Sequence, residues 1–211
     1  MMMAALVISA MVMSHVSVLG AENDAAWFCH GINCPPFTNS SVDGVEVRLY
    51  QSNLWTSTQV EGVSLDDAME TGFQRLFDYI SGANEAGKTV DMTAPVLTKV
   101  SPGAGPNCNT TFTISFFVPF DLQPPNAPPP KPTNPDVFTQ TIPSQKVAVK
   151  SFGGQANEKE MITETTILEQ EIQKSENLEK DPQAGESWWA AGYDPPFRVT
   201  GRHNEVWVNV I

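Results

Sequence analysis

Histidine is scarce in this chain, with 3 in 211 residues, and only His30 and His203 lie beyond the apolar N-terminal stretch. A Ser-His-Asp or Cys-His catalytic centre would have to use one of these two, His30 in an N-terminal arm or His203 beside Arg202. No Gly-x-Ser-x-Gly elbow, His-Glu-x-x-His pair or dinucleotide fingerprint occurs, so the common hydrolase, metalloprotease and dehydrogenase signatures are missing. Cysteine is equally sparse. Cys29, Cys34 and Cys108 suit one disulfide and a leftover thiol better than a metal site. Cations are few: 12 Lys and Arg stand against 24 Asp and Glu, a formal net charge of -12. That balance argues against nucleic acid as a partner, because a phosphate backbone needs a basic face.

The first twenty residues carry no charge, and Ala4 to Leu19 is an apolar run broken by Ser9, Ser14, His15 and Ser17. It is too short and interrupted to span a bilayer comfortably, so residues 1–20 are read as a secretory signal peptide. No stable membrane insertion is expected after its removal. Asn39-Ser40-Ser41 and Asn109-Thr110-Thr111 are glycosylation sequons, which fit the same route. A bridge from Cys108 to Cys34, or alternatively to Cys29, would close a long loop and remove more unfolded-state entropy than a Cys29 to Cys34 bridge. The long-range Cys34 to Cys108 pairing is the expectation, and the localisation expected is extracellular.

Hydrophobic residues make up 41% and charged residues 17%, enough for one core. After an arm over residues 21–43, the chain carries the same pattern twice, over about 45–118 and 136–211: an extended pair, an amphipathic helix, a second extended pair. Val45 to Tyr50 alternates with period two, and Leu54 to Val60 continues the hairpin. Ser64 with Asp67 is a capping-box-like start, and Leu65, Ala68, Phe73, Leu76, Phe77 and Ile80 recur at helical spacing. Strands are expected at Thr89 to Val100 and Thr111 to Val118. Residues 119–135 hold eight of the 17 prolines and read as an extended crossover. Beyond it come strands at Val137 to Ile142 and Lys146 to Phe152. A helix follows, with Met161, Thr165, Leu168 and Ile172 inward. Extended pieces at Trp188 to Tyr193, Phe197 to Thr200 and Glu205 to Ile211 end the chain.

Gly82-Ala83-Asn84-Glu85-Ala86-Gly87-Lys88-Thr89 satisfies the phosphate-loop pattern. That mechanism needs a strand before the loop and a helix after it, and here a helix precedes while Pro95 bars one from following. A helix-to-strand turn is expected instead. Near the C-terminus, Val206, Val208 and Val210 share one strand face and Glu205, Trp207 and Asn209 the other. A buried Glu205 calls for a cation, with Arg202 or Arg198 the nearest candidates in sequence. Surplus apolar surface at Phe73, Phe77, Met92, Trp189 and Tyr193 marks the expected ligand groove beside the first helix, and neither His30 nor His203 is expected in it.

Val45 to Trp55, Thr71-Gly72-Phe73, Tyr79-Ile80-Ser81-Gly82-Ala83-Asn84-Glu85 and Met92-Thr93-Ala94-Pro95-Val96 stand in one order with Phe152-Gly153-Gly154, Ala191-Gly192-Tyr193 and Asn204-Glu205-Val206-Trp207. Over about residues 44–211 this set resembles the SOUL heme-binding family. The resemblance implies an α+β fold: a distorted antiparallel β-barrel with two flanking helices, built from two pseudo-repeated halves. It also implies a non-enzymatic binder of heme or a related planar hydrophobic tetrapyrrole, with the pocket along the first helix. Two departures stand out. Leu49 occupies the place, before the tyrosine of the first strand, where some members carry a histidine proposed as iron ligand. Glu70 and Asp78 stand where others place basic residues facing the propionates. Heme held without a histidine ligand is therefore the expectation, with no metal site. The alternative is an extracellular interaction or structural protein that keeps the scaffold without the ligand.

Overall fold

The computed structural model describes residues 26–62, 64–103, 105, 109–195 and 197–211. The expected signal segment and its cleavage point lie outside the described residues, as does Cys108. Among the described residues nine strands form one antiparallel sheet: β1 (Phe37–Val42), β2 (Val45–Tyr50), β3 (Asn53–Gly62), β4 (Val96–Ser101), β5 (Thr110–Phe117), β6 (Val137–Ile142), β7 (Gln145–Phe152), β8 (Trp188–Gly192) and β9 (Asn204–Asn209). Their spatial order is β1-β2-β7-β9-β8-β4-β5-β3-β6. The sheet curls into a half-barrel carrying α1 (Leu65–Ile80) and α2 (Glu158–Lys174), the expected α+β distorted barrel. Exchanging β2 to β5 with β6 to β9 merely reverses the order of those eight strands. This symmetry supports the two-halves reading, which we retain as a proposal.

Each helix starts where its side-chain chemistry allows. Ser64 accepts a hydrogen bond from the amide of Asp67 at 3.3 Å, and Asn157 caps α2 through the amide of Glu160 at 3.0 Å. The period-3.6 stripes of Leu65, Ala68, Leu76 and Ile80 on α1, and of Met161, Leu168 and Ile172 on α2, are buried against one sheet face. Gly72 lets α1 approach closely: a Cβ there would lie 2.6 Å from Ile114 of β5. The other sheet face holds a second core of Tyr50, Trp55, Leu97, Phe117, Trp189 and Trp207, covered in part by Phe28 of the arm.

Several sequence expectations shift. The segment expected as an arm, described from Ala26 on, includes a strand, since β1 pairs in register with β2 from Phe37 opposite Tyr50 to Val42 opposite Val45. The strand expected from Thr89 begins only at Val96, after Pro95, which has no amide to donate. Residues 197–200 make no strand. They lie in the β8–β9 loop with Phe197 83% and Val199 82% exposed, unable to pay the ordering cost by burial. The long-range disulfide is also overturned. Cys29 bonds Cys34, their Cα atoms 6.1 Å apart. His30 and Gly31 take φ of 53° and 76°, turning the chain tightly enough to bring the two together. Loop entropy favours a long closure only where geometry permits it.

The phosphate-loop look-alike is the expected turn, between α1 and the extended approach to β4. Asn84, 5% exposed, ties it: its side chain donates to the carbonyls of Tyr79 and Lys88 and accepts from the amide of Lys88. Lys88 itself is exposed.

Candidate functional site

Four of the five residues expected to contact a ligand meet in one groove of about 920 Å3. Phe73 and Phe77 come from α1, Met92 from the approach to β4, and Tyr193 from the end of β8. The two phenylalanines, one helical turn apart, stack at 5.8 Å with 12° between their planes. Phe73 also meets Phe116 edge to face at 5.4 Å. Phe77 and Met92 are 44% and 36% exposed, so the groove presents apolar surface that the fold does not bury. Trp189 does not join them. It lines a different, more polar cavity, donates from Nε1 to Asn209 at 2.8 Å, and lies under Lys99 at 5.4 Å.

The opposite wall is built by a part of the chain that sequence reasoning set aside. His30 and Ile32, both inside the loop closed by Cys29 and Cys34, line the groove, so the expectation that neither histidine reaches it is wrong for His30. Two cysteines closely bracketing His30 were the available signal. Asp194, its side chain fully buried, organises this wall. Its Oδ1 lies 2.9 Å from His30 Nε2 and 3.2 Å from Arg198 Nη1, both off the hydrogen-bonding direction. Its Oδ2 accepts from the amide of His203 at 2.6 Å. A smaller cavity of about 520 Å3 shares Phe73, Val96, Gly192 and Asp194 with the groove and adds Glu70, Arg202 and Asn204. Asp78 points elsewhere and accepts from Gln74 at 2.7 Å.

Behind Tyr193 lies a buried charge network. Arg48 donates twice to Glu205, Nη1 to Oε2 and Nη2 to Oε1, both at 3.0 Å. The tyrosine hydroxyl of Tyr193 and the indole of Trp207 donate to Oε2 at 2.9 and 2.8 Å, and His203 Nε2 stands 2.6 Å from Oε1. Glu205 is thus buried as expected, but its cation is Arg48 rather than Arg202 or Arg198. Burial disfavours the Glu205 charge, yet the hydrogen bond from His203 and the charge and hydrogen bonds of Arg48 outweigh it and hold the carboxyl below its ordinary range. Burial pushes the Tyr193 phenol well up, so that it serves as a neutral donor. His203 is sealed by Phe28, whose ring stacks on it at 4.2 Å, and by Trp27 at 5.2 Å. Among the described residues no group of three His, Cys, Asp or Glu could hold a metal ion.

Leu49 does not line the groove. It is 41% exposed on β2, opposite Thr38 and Lys146. Its place on the sheet is therefore separate from the Phe73 and Phe77 wall.

Comparison with known proteins agrees with this architecture. Heme-binding protein 2 of Homo sapiens is 34% identical over 196 residues, 90% of each chain. Heme-binding protein 2 of Mus musculus is 36% identical over 167 residues, covering 77% of this chain and 76% of that one. Among solved structures, the C-terminal domain of EcmrR superposes with a TM-score of 0.58 at 10% identity, over 83% of this chain and 98% of that one, a likeness of fold alone. A family profile described as SOUL heme-binding protein matches residues 32–209, and with it the chain belongs to the SOUL heme-binding family.

Proposed function

We propose that the protein is a secreted, non-enzymatic binder of heme or a related planar hydrophobic tetrapyrrole. The observation that carries this reading is the apolar groove of about 920 Å3 beside α1, within the roughly 300–1,000 Å3 common for small-molecule sites. Its residues fit such a ligand. Phe73 and Phe77 offer aromatic faces, Met92 and Ile32 adaptable apolar surface, and Arg198 a cation for a carboxylate at the mouth, where α1 contributes none. Heme, when bound, would supply a planar apolar macrocycle and an iron centre; the chain supplies the slot, the orientation and the exclusion of water. Binding without a histidine ligand rested partly on both histidines lying elsewhere, and the position of His30 removes that ground. The uncharged leader and the sequons support secretion. Asn39 lies exposed on β1 and Asn109 exposed just before β5, both open to a glycan.

Titration of the purified protein with hemin, followed by the Soret band, tests the binding. A saturable shift is expected, and Phe77→Asp, which puts a charge on an exposed groove position, should weaken it by on the order of tenfold or more. A folded protein whose spectrum does not respond to hemin would instead point to the scaffold as an interaction module. Expression in secretory cells tests the route: the product should start after Gly20 and lose mass on treatment with an N-glycosidase, and retention inside the cell without glycan would contradict it.

A further inference from the structure

We infer that His30, presented by the Cys29–Cys34 loop, is an iron ligand of the groove, binding through Nδ1. This rests on the heme reading above and deepens it. Among the groove side chains His30, Met92 and Tyr193 are of the types that commonly ligate heme iron, while the carboxylate of Asp194 is fully buried and holds the His203 amide. The Tyr193 hydroxyl is committed to Glu205 and held neutral, and a Met thioether is the weaker donor. His30 offers an imidazole 28% exposed at the groove wall.

Its surroundings resemble those of a ligating histidine, one of whose ring nitrogens meets a carboxylate, although the Asp194 contact lies off the hydrogen-bonding direction. The buried carboxylate of Asp194 lies 2.9 Å from Nε2, and the ring proton is assigned to that nitrogen, beside the negative charge. Nδ1 then carries the lone pair. Arg198 Nη1 meets Nδ1 at a long 3.4 Å, and ligation displaces this contact as the 41% exposed Arg198 side chain turns to the ligand carboxylate. Ligation would form one bond from the Nδ1 lone pair to ferric iron in place of a water that leaves to solvent; it moves no proton and changes no oxidation state. The disulfide and the left-handed φ of 53° at His30 fix where the ring stands.

The test uses the oxidised full chain with hemin. Protein labelled with 15N-histidine should show a labelled nitrogen coupled to the ferric iron by electron–nuclear double resonance. That coupling should be absent in His30→Asn, a replacement that accepts the left-handed backbone, and imidazole added to the variant should restore a nitrogen-ligated Soret and spin state. Asp194→Asn should keep the coupling but weaken hemin binding on the order of ten- to a hundredfold. Saturable hemin binding with no labelled coupling, or a coupling that survives in His30→Asn, overturns the inference while leaving the heme reading in place. Failure of the wild type to bind hemin at all overturns both. Should His30→Asn misfold, the label experiment on the wild type still decides whether histidine ligates, and the same label in His203→Gln shows whether that histidine is the source.

Discussion

Glu205 receives donors from Arg48, Tyr193, His203 and Trp207 with no access to water, so the network is satisfied only while the carboxylate is charged and Arg48 is in place. Glu205→Gln leaves the buried Arg48 guanidinium with the partly exposed Glu46, 2.7 Å from its Nε, in place of its buried counter-charge, at an expected cost of about 3–5 kcal/mol, read by urea unfolding at neutral pH. A loss under about 1 kcal/mol would mean that the pair is not under strong charge control. The sign with pH follows from the lowered carboxyl. Its stabilisation is fully present above the unfolded glutamate value and is lost as pH falls through the folded one. Wild-type stability should therefore drop below the ordinary carboxylate range, and the drop should be smaller in Glu205→Gln. Alternation along 205–210 made the burial of Glu205 legible in the sequence. Its partner was not, because Arg48 is 157 residues away and only the β2–β7–β9 register brings the two together.

At the scale of elements, α1 does double service, filling the core with one stripe and flooring the groove with Phe73 and Phe77. Gly72 sets how closely it lies on β5. Gly72→Ala would place a carbon 2.6 Å from Ile114, and the resulting shift should cost about 1–3 kcal/mol, measured by thermal or denaturant unfolding. A neutral or stabilising effect would show that the helix can move away freely. The turn after α1 carries the opposite expectation: Lys88→Ala should alter stability by less than about 0.5 kcal/mol, and the wild type should show no thermal shift with millimolar ATP and magnesium. Helix positions were legible because capping residues and apolar period agree. Edge strand β1 was not, since Phe-Thr-Asn-Ser-Ser-Val has little apolar alternation and is held mainly by its backbone ladder to β2. The groove wall was half legible for a similar reason. Helical spacing exposes Phe73 and Phe77, whereas His30 and Ile32 reach the site through a disulfide turn that no periodicity marks.

For the whole molecule, the arm is stapled to itself by the Cys29–Cys34 bond. Non-reducing peptide mapping should recover Cys29 with Cys34, and a Cys34 to Cys108 peptide would contradict the structure. The sheet order carries a wider consequence. The strands of the two halves interleave: β2 bonds β7, β3 bonds β6 and β4 bonds β8. The covalent connection over 119–135 is anchored at its ends, by Gln123 to Leu54 and Val118 and by Tyr79 to Pro130, while residues 124–128 between them are exposed. A chain cut at a protease site introduced between Asn126 and Ala127 should therefore elute as one particle and come apart only in denaturant. Each fragment alone would expose bare sheet edges and half a core, so neither should fold without the other. The polypeptide is, in effect, a tethered heterodimer of its own two halves.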